Sequence, residues 1–252
     1  MNCIRMGMGE PIIDPSKYVK REDIVLPTDK CILTFSSRTT RAITDLIGKH
    51  KSMPIKIPIF DPTIGKYAGA KIFTAILKVG APASVMALEL LIAAGAKKII
   101  VIGAAGSMHP DVRIGDIFLP TWGIREEGTS YHYMPPNYQP KPNRTLLNRL
   151  KSEIRKILQG RIKIVEGGLW SIDAIFRETK DKIRGYRRKG VIGVDMESTA
   201  LMTVADYRGV ALAIALIISD ELREDSWTYV WESEKIIKSE RILALASLRA
   251  LV

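Results

Sequence analysis

Apolar residues in this chain occur either in short unbroken runs or at helical spacing. The unbroken runs predict buried strands, because a strand covered on both faces is apolar throughout. The predicted strands are CILTFS (31–36), AKIFTAILKV (70–79), KKIIVIGAAG (97–106), DIFLPTWGI (116–124), residues 161–166, a segment that begins at Val191, and VALAIALIIS (210–219).

Between these strands, apolar side chains recur at intervals of three and four residues, which is typical of helices. Val85, Leu88 and Ile92 follow Pro82 with this spacing, and Gly95 ends the helix. Gly48 and Gly209 end two further helices in the same way. These two helices cover 38–48 and the segment that ends at Arg208, and the remaining predicted helices cover 144–158 and 232–250. Residues 125–143 form a long polar loop rich in proline and tyrosine.

Strands and helices alternate along most of the chain, which indicates an α/β class. The chain has 252 residues, enough for one large α/β domain and short for two. We predict a single-domain, three-layer α/β/α fold with a mixed, largely parallel central sheet. This domain covers residues 31–252, and residues 1–30 form an N-terminal extension packed on it.

Charge and composition exclude several classes of partner. The net charge is +11 (38 basic minus 27 acidic residues), which suits nucleic acid, an anionic substrate or simple solubility. The densest basic cluster, KDKIRGYRRKG (180–190), has only Tyr186 for base stacking, so we expect no dedicated nucleic-acid binding. The longest apolar run, 210–218, is too short for a membrane span. Cys3 and Cys31 form no disulfide framework and no signal peptide is apparent, so we expect a cytoplasmic location.

Small or polar residues follow four of the predicted strands. They are SSRTTR (36–41), GAAGS (103–107), DME (195–197) and SDE (219–221). Ligands of open α/β sheets bind at the carboxyl ends of the strands. Four such ends predict one crevice that binds a small molecule.

Each of these stretches also has a purely structural interpretation. GAAGS could present backbone amides to an anion or form a tight turn. Arg38 and Arg41 stand at a predicted helix start, where cations are unfavourable unless they face an anion, but both could be solvated. Glu197 and Asp220 suit a binding site and equally suit a helix start or a turn. Asp195 has no role beyond helix entry or support of a neighbour.

No metal or organic cofactor is expected. The three histidines, His50, His109 and His132, show no metal-ligand spacing, and the cysteines are distant from one another. The GAAGS stretch is not a G-x-G-x-x-G fingerprint, which disfavours a nicotinamide enzyme.

Three stretches together resemble the nucleoside phosphorylase superfamily, which includes purine nucleoside and uridine phosphorylases and related nucleosidases. They are IVIGAAGSMHPDVRIGDIFLPT (100–121), GVDMESTALMTVADYRGV (193–210) and LIISDE (216–221). The resemblance extends from about residue 30 to 222, and REEGTS (125–130) is most similar to the uridine phosphorylase branch. The stretch LWSIDAIF (169–176) resembles the one that bears the base-stacking aromatic.

The resemblance implies a function and a set of roles. The enzyme would cleave a purine or pyrimidine nucleoside with phosphate, as co-substrate, to give free base and pentose 1-phosphate. Asp220 would be catalytic, bonding the base and, in the purine branch, protonating N7. The ribose would contact Glu197 and Met196, and the base would contact Ile175, Phe176 and Arg177. Phosphate would be bound by a fourth group of residues, Arg41, Arg38, Gly103 and Ala104.

The sequence also departs from the superfamily pattern at the phosphate and base positions. The anion-binding glycine–aspartate–proline turn is replaced by SRTTR, the strand arginine by Val101 and the following hydroxyl residue by Ala104. The base-stacking aromatic aligns with Ile175, one residue before Phe176. A hydrolytic nucleosidase, or a nucleoside-binding protein with weak or lost phosphorolysis, is therefore the alternative. A nucleosidase needs an acid after the first strand, and SSRTTR contains none.

The residues that would contact the base give conflicting indications of its nature. Asp220 is purine-like whereas REEGTS is uridine-like, and Arg177 and Glu178 are available to contact a base edge. The resemblance implies a homo-oligomer, a dimer-based hexamer, in which Lys51 or Lys56 could supply phosphate charge to a neighbouring chain. We expect LREDSWTYVW (222–231) to be a packed Trp/Tyr cluster that joins the last helix to the domain, with a mobile flap as the alternative.

Overall fold

The computed structural model describes residues 10–158, 162–223, 225–230 and 232–252, apart from the side chain of Lys49. Ten strands form one mixed sheet within these ranges. They are β1 (Lys30–Thr34), β2 (Gly48–Ser52), β3 (Phe60–Tyr67), β4 (Ala70–Ile76), β5 (Lys98–Ser107), β6 (Ile117–Glu126), β7 (Ile164–Ile172), β8 (Val191–Asp195), β9 (Ala211–Leu222) and β10 (Trp227–Tyr229).

Seven α-helices accompany the sheet in the described ranges. They are α1 (Pro15–Arg21), α2 (Ser37–Thr44), α3 (Ala81–Ala93), α4 (Arg144–Ile157), α5 (Lys180–Arg188), α6 (Ser198–Tyr207) and α7 (Glu234–Leu251). None of these helices combines the length and the apolar character needed to cross a membrane.

The strands follow the order β10-β9-β6-β7-β8-β5-β1-β4-β3-β2, and β9 pairs with β5 as well. The second pairing closes β5, β9, β6, β7 and β8 into a ring, from which β1, β4, β3 and β2 extend. At the junction, β5 and β9 run parallel in a long register from Lys98 opposite Ala211 to Ala105 opposite Ile218. The carboxyl ends of β5 and β9 therefore reach the same edge of the sheet.

Helices cover both faces of the sheet, each over its own apolar cluster. On one face α3 and α6 pack with Leu88, Leu201 and other fully buried side chains. On the other face α4 and α7 contribute Leu150 and Leu243. The predicted α/β class and mixed central sheet are confirmed.

Several predicted boundaries are wrong, and polar or basic sequence explains most of them. The helix predicted for 38–48 ends at Thr44. Gly48, predicted to end that helix, is instead the first residue of β2, which pairs with β3. The strand predicted for 161–166 is β7, which extends through Trp170 to Ile172 between β6 and β8. The hairpin of β2 and β3 was not predicted, since GKHKS (48–52) has no apolar pattern.

The basic cluster at 180–190 contains helix α5. Its inner side carries Ile183, which is buried, and Tyr186, whose ring centroid lies 4.7 Å from that of Trp170. The charges of this segment thus belong to the outer side of an amphipathic helix.

Residues 10–30 lie against the helical face formed by α3. Val19 of α1, Ile24 and Leu26 are buried in the same cluster as the α3 side chains, and the Leu26 N–H donates to the Ala94 carbonyl. The rest of the expected N-terminal extension, residues 1–9, lies outside the described residues.

Leu150 on α4 provides a test of the packed face beneath α4 and α7. It is fully buried, so Leu150→Ala leaves a cavity and is expected to lower the free energy of unfolding by about 2–5 kcal/mol. Urea denaturation measures this loss. Met86→Ala on α3, where the side chain is 52% exposed, is the matched control and should change the free energy by less than about 0.5 kcal/mol.

Candidate active site

A cavity of about 480 Å³ opens at the carboxyl ends of β5, β8 and β9. The end of β5 contributes 103–106, the turn from β8 into α6 contributes 194–197, and β9 contributes Ser219 and Asp220. Phe35, which follows β1, and Val79, which follows β4, complete this wall. The structure thus brings three of the four predicted strand ends together around one space, whereas no residue of SSRTTR (36–41) lines it.

Asp195, at the end of β8, holds the turn that enters the cavity wall. Its Oδ1 accepts a hydrogen bond of 2.5 Å from the Ser171 hydroxyl, and its Oδ2 accepts from the backbone N–H of Ser198 at 3.0 Å and from the Ser198 hydroxyl. Burial raises the pKa of Asp195, and these donors lower it in part. Both carboxyl oxygens of Asp195 thus accept hydrogen bonds within the protein, and these bonds hold Ser171 and the start of α6 in place.

Glu197 stands two residues later, at the start of α6. Its Oε1 accepts a 2.6 Å hydrogen bond from the N–H of Gly80, which precedes α3 and adopts a φ of 99° that favours glycine. Burial, and then the charge of Asp195, raise the pKa of Glu197. Met196, between the two acids, also lines the cavity. The carboxyl group of Glu197 is therefore anchored at one oxygen and held against the cavity.

Asp220 lies across the cavity on β9. Its Oδ1 accepts from the Ser219 hydroxyl at 2.7 Å, and its Oδ2 accepts from the indole N–H of Trp227 at 2.9 Å. Gly106 on β5 stands opposite Asp220, and a Cβ there would lie 2.8 Å from Oδ2. A glycine at this position is what lets the carboxylate lie over the neighbouring strand.

The predicted base-binding stretch lies on the rim of the same cavity. Ile175 and Phe176 line it, and the Phe176 side chain is 94% exposed. Arg177 is exposed and does not line the cavity, whereas Glu178 does. Burial, and then the charge of Asp220, raise the pKa of Glu178 to about 7. Glu178 is thus partly protonated at neutral pH, as is Glu197, whose pKa is also raised to about 7.

Trp227 and Tyr229 form a stacked pair beside Asp220. Their ring centroids are 4.7 Å apart with an interplanar angle of 28°, and both line the cavity. They belong to β10, which pairs antiparallel with β9. A Trp/Tyr pair is thus present as expected, but the expectation that it is packed is wrong, because both residues are half exposed at the cavity. The alternation W-T-Y places both rings on one face of a strand, and this was the signal available in the sequence. Trp231, also part of that expectation, lies outside the described residues.

Positive charge is separated from this cavity. None of the lysine and arginine residues that the structure describes lines it. A second recess, of about 360 Å³, shares Gly103 and Ala104 with it and contains Arg38. Arg38 forms ion pairs with Glu240, which is buried on α7, and with Glu232 at 3.7 Å.

Of the four residues predicted to bind phosphate, only Gly103 and Ala104 line the main cavity. Arg41 lies one turn after Arg38, near the end of α2, with its side chain exposed. Among the described residues no cluster of three or more His, Cys, Asp or Glu side chains is arranged to hold a metal ion.

The REEGTS stretch supports the structure behind the cavity without lining it. Arg125 donates to the carbonyl oxygens of Met134, Pro135 and Tyr138, which fixes the long polar loop. Glu127 accepts from the Thr199 hydroxyl at 3.0 Å and so ties the loop to α6. The similarity of this stretch to one branch of the superfamily therefore reports on a scaffold and not on a base contact.

Glu178 gives a pH-dependent prediction. Its folded-state pKa of about 7 exceeds the ordinary value of 4.5, so its contribution to stability is present at low pH and is lost as the pH rises towards 7. We expect Glu178→Gln to match the parent Tm at pH 5 and to exceed it at pH 8. Asp181→Asn, at a side chain 95% exposed, should leave the Tm unchanged at both values. An equal Tm difference at both pH values for Glu178→Gln would contradict the raised pKa.

Known proteins share this sequence pattern and this fold. The family model for the phosphorylase superfamily matches residues 20–252. The DeoD-type purine nucleoside phosphorylase of Clostridium novyi (strain NT) is 28% identical over 183 residues, which cover 72% of this chain and 77% of that protein.

Two solved structures resemble the fold. The uridine phosphorylase of Vibrio fischeri ES114 has a TM-score of 0.79 at 23% identity, covering 91% of this chain and 93% of that one. The purine nucleoside phosphorylase of Toxoplasma gondii, in complex with immucillin-H, has a TM-score of 0.80 at 19% identity, covering 91% and 92%. Because the family model extends over nearly the whole chain, this protein belongs to the phosphorylase superfamily.

Proposed function

We propose that the protein is a nucleoside phosphorylase, a pentosyltransferase that cleaves the N-glycosidic bond of a purine or pyrimidine nucleoside with phosphate. The products are the free base and pentose 1-phosphate. The observation that carries this proposal is the placement of Glu197 and Asp220 on separate strand ends facing one cavity, beside the Gly103–Ala104 backbone. The superfamily membership and the names of the relatives support it.

The sugar half of the site is formed by Glu197 and Met196. Cleavage of an N-glycosidic bond passes through a sugar that resembles a cation, so a fixed carboxylate near the sugar stabilises the transition state. The Gly80 amide anchors one oxygen of Glu197, which lets the carboxyl group accept hydrogen bonds from the sugar hydroxyls without reorganising. Met196 offers an apolar surface beneath the ring.

The base half is formed by Asp220 and its neighbours. As the bond breaks, negative charge develops on the departing base, and a nearby acid that donates a proton or a hydrogen bond favours departure. Asp220 lines the cavity on β9, opposite the wall formed by Glu197. Glu178, whose pKa is raised to about 7, lines the same cavity and is available to donate a proton.

Phosphate must attack the face of the sugar opposite the base. The backbone of Gly103 and Ala104, which separates the cavity from the recess of Arg38, is the place for this anion. Arg38 is the cation of that recess, and its ion pair with Glu240 means that phosphate must compete with a carboxylate. We propose that this competition weakens phosphate binding relative to nucleoside binding.

The separation of positive charge from the cavity also favours a second candidate, a nucleosidase or a nucleoside-binding protein with weak or lost phosphorolysis. One experiment separates the three: a panel of purine and pyrimidine nucleosides is incubated with the protein, with and without phosphate, and the sugar product is identified. Pentose 1-phosphate formed only with phosphate supports the phosphorylase. Free pentose in both cases indicates a nucleosidase, and ligand-dependent thermal stabilisation without turnover indicates a binding protein.

We further propose that the protein is a homo-oligomer, a dimer-based hexamer whose sites are completed by a neighbouring chain. We also propose that it needs no metal or organic cofactor. A cytoplasmic location belongs to the same proposal and is supported by Cys31, which is buried and unpaired. Sedimentation analysis and activity after chelator treatment test these points.

The two facing acids give the main kinetic prediction. Glu197→Gln and Asp220→Asn each remove a transition-state contact, so each is expected to lower kcat/KM by at least about tenfold. Steady-state kinetics with the best nucleoside of the panel measure the loss. Asp181→Asn, on the exposed side of α5, is the control for removing a carboxylate elsewhere. Near-normal activity in both site variants would refute the assigned roles.

Arg38 gives the corresponding prediction for the phosphate half. Arg38→Met removes the cation of the adjoining recess and is expected to raise the KM for phosphate by about tenfold, the size of one lost charge-assisted contact, with a smaller effect on the KM for nucleoside. Arg41→Met is the comparison, since its side chain is exposed on α2. If Arg41→Met alone raises the KM for phosphate, the positive charge that binds phosphate comes from a neighbouring chain and not from Arg38.

Lys51 and Lys56 are the other candidates for a contribution from a neighbouring chain. Replacing both lysines tests them, and an unchanged KM for phosphate would exclude them.

A further inference from the structure

The cavity has an aliphatic residue where the superfamily resemblance expects an aromatic one. Ile175 occupies the aligned position, and the neighbouring Phe176 is almost fully exposed on the rim. Purine and pyrimidine rings are flat, and stacking on an aromatic side chain is the common way in which proteins hold them. Phe176 offers a ring only at the exposed rim, so a flat partner from another element would complete the enclosure of a base.

Strand β10 supplies an aromatic ring at the required place. Trp227 lines the cavity next to Asp220, and its side chain is 55% exposed although it is large and apolar. Tyr229 stacks on it with a centroid distance of 4.7 Å, so the indole has a firm support on one side. An exposed and supported indole at a cavity wall is a surface ready for a second flat ring.

The same indole is bonded to the acid proposed to act on the base. Its N–H donates to Asp220 Oδ2 at 2.9 Å, while the Ser219 hydroxyl donates to Oδ1 at 2.7 Å. Two donors thus set the plane of the carboxyl group. One of them belongs to the ring that lies beside the base position, so the location of the base and the orientation of Asp220 are coupled.

We propose that Trp227 is the stacking platform for the nucleoside base and the positioning residue for Asp220. The proposal rests on the proposed function in that it assigns the base half of the same cavity. It makes the hairpin of β9 and β10 the element that selects flat aromatic bases, in place of the segment at Ile175.

Two substitutions separate the ring of Trp227 from its N–H. Trp227→Leu removes both and is expected to raise the KM for nucleoside by about tenfold or more, in line with the loss of one stacked base, and to lower kcat. Trp227→Phe keeps a flat ring without the N–H donor. It should restore the KM to within about threefold of the parent while kcat stays low, since one contact to Asp220 is still missing. If Trp227 had only a structural role, Trp227→Phe would not restore the KM for nucleoside while leaving kcat low.

Binding of free bases provides a readout that does not depend on turnover. Hypoxanthine and uracil are titrated against intrinsic tryptophan fluorescence, and we expect quenching by at least one of them in the parent protein. The quenching should disappear in Trp227→Phe and persist in the control Trp122→Phe, whose ring packs against Gly168 away from the cavity.

Three results would overturn the proposal: quenching that survives in Trp227→Phe, a nucleoside KM that is unchanged in Trp227→Leu, or fluorescence that responds to protein dilution and not to base. The last result would show that the ring covers a contact between chains. If bases quench Trp227 but no nucleoside is cleaved with phosphate, the proposed function fails and the stacking site stands. If nucleosides are cleaved with phosphate and Trp227→Leu has no effect, the stacking site fails and the proposed function stands.

Discussion

The buried carboxylate of Asp195 is the interaction on which the rest of the site depends. A carboxylate taken out of water costs several kcal/mol unless donors replace its hydration. Ser171 and Ser198 provide those donors from β7 and from the start of α6, so one side chain joins two strands and a helix. These hydrogen bonds fix the turn from β8 into α6, and this turn places Met196 and Glu197 at the cavity wall. Glu197 is then held close to a second acid, a cost that the Gly80 amide partly offsets.

The sequence predicts the parts of this arrangement that follow from apolar runs. Strands β1, β5 and β9 are continuous apolar segments, so their order and the small or polar residues after them indicate a crevice at their carboxyl ends. The hairpin of β2 and β3 could not be predicted, because an edge hairpin with polar residues has no hydrophobic period. The contribution of Trp227 was missed for a related reason: its segment is short and exposed, and pairing with β9 alone gives it a place beside Asp220. The W-T-Y alternation indicates that both rings lie on one face of a strand, but it does not indicate the strand with which they pair.

The role of individual charges could be predicted even less, because a charge acquires its function from its partners. Arg38 and Arg41 are the same residue type in one helix, yet Arg38 lies in a recess beside the cavity and Arg41 lies exposed one turn later. Glu240, some 200 positions away along the chain, is the residue that decides what Arg38 can bind. Asp195 and Glu197 likewise stand two residues apart but have different surroundings. Hydrogen-bond donors of the protein occupy both oxygens of Asp195, whereas Glu197 faces the cavity.

The acids of the cavity and the basic character of the whole protein suit different substrates of the proposed reaction. A cavity lined by Glu178, Glu197 and Asp220 suits a neutral nucleoside whose sugar becomes positive, and it disfavours an anion. The net charge of +11 lies elsewhere on the molecule, and such a field raises the local concentration of phosphate without placing a cation inside the cavity. A bound base would also displace water from Glu178 and strengthen the burial that raises its pKa. In the proposed reaction, nucleoside binding would therefore keep a proton beside the leaving base, and the attacking phosphate would meet the site at its Gly103–Ala104 edge.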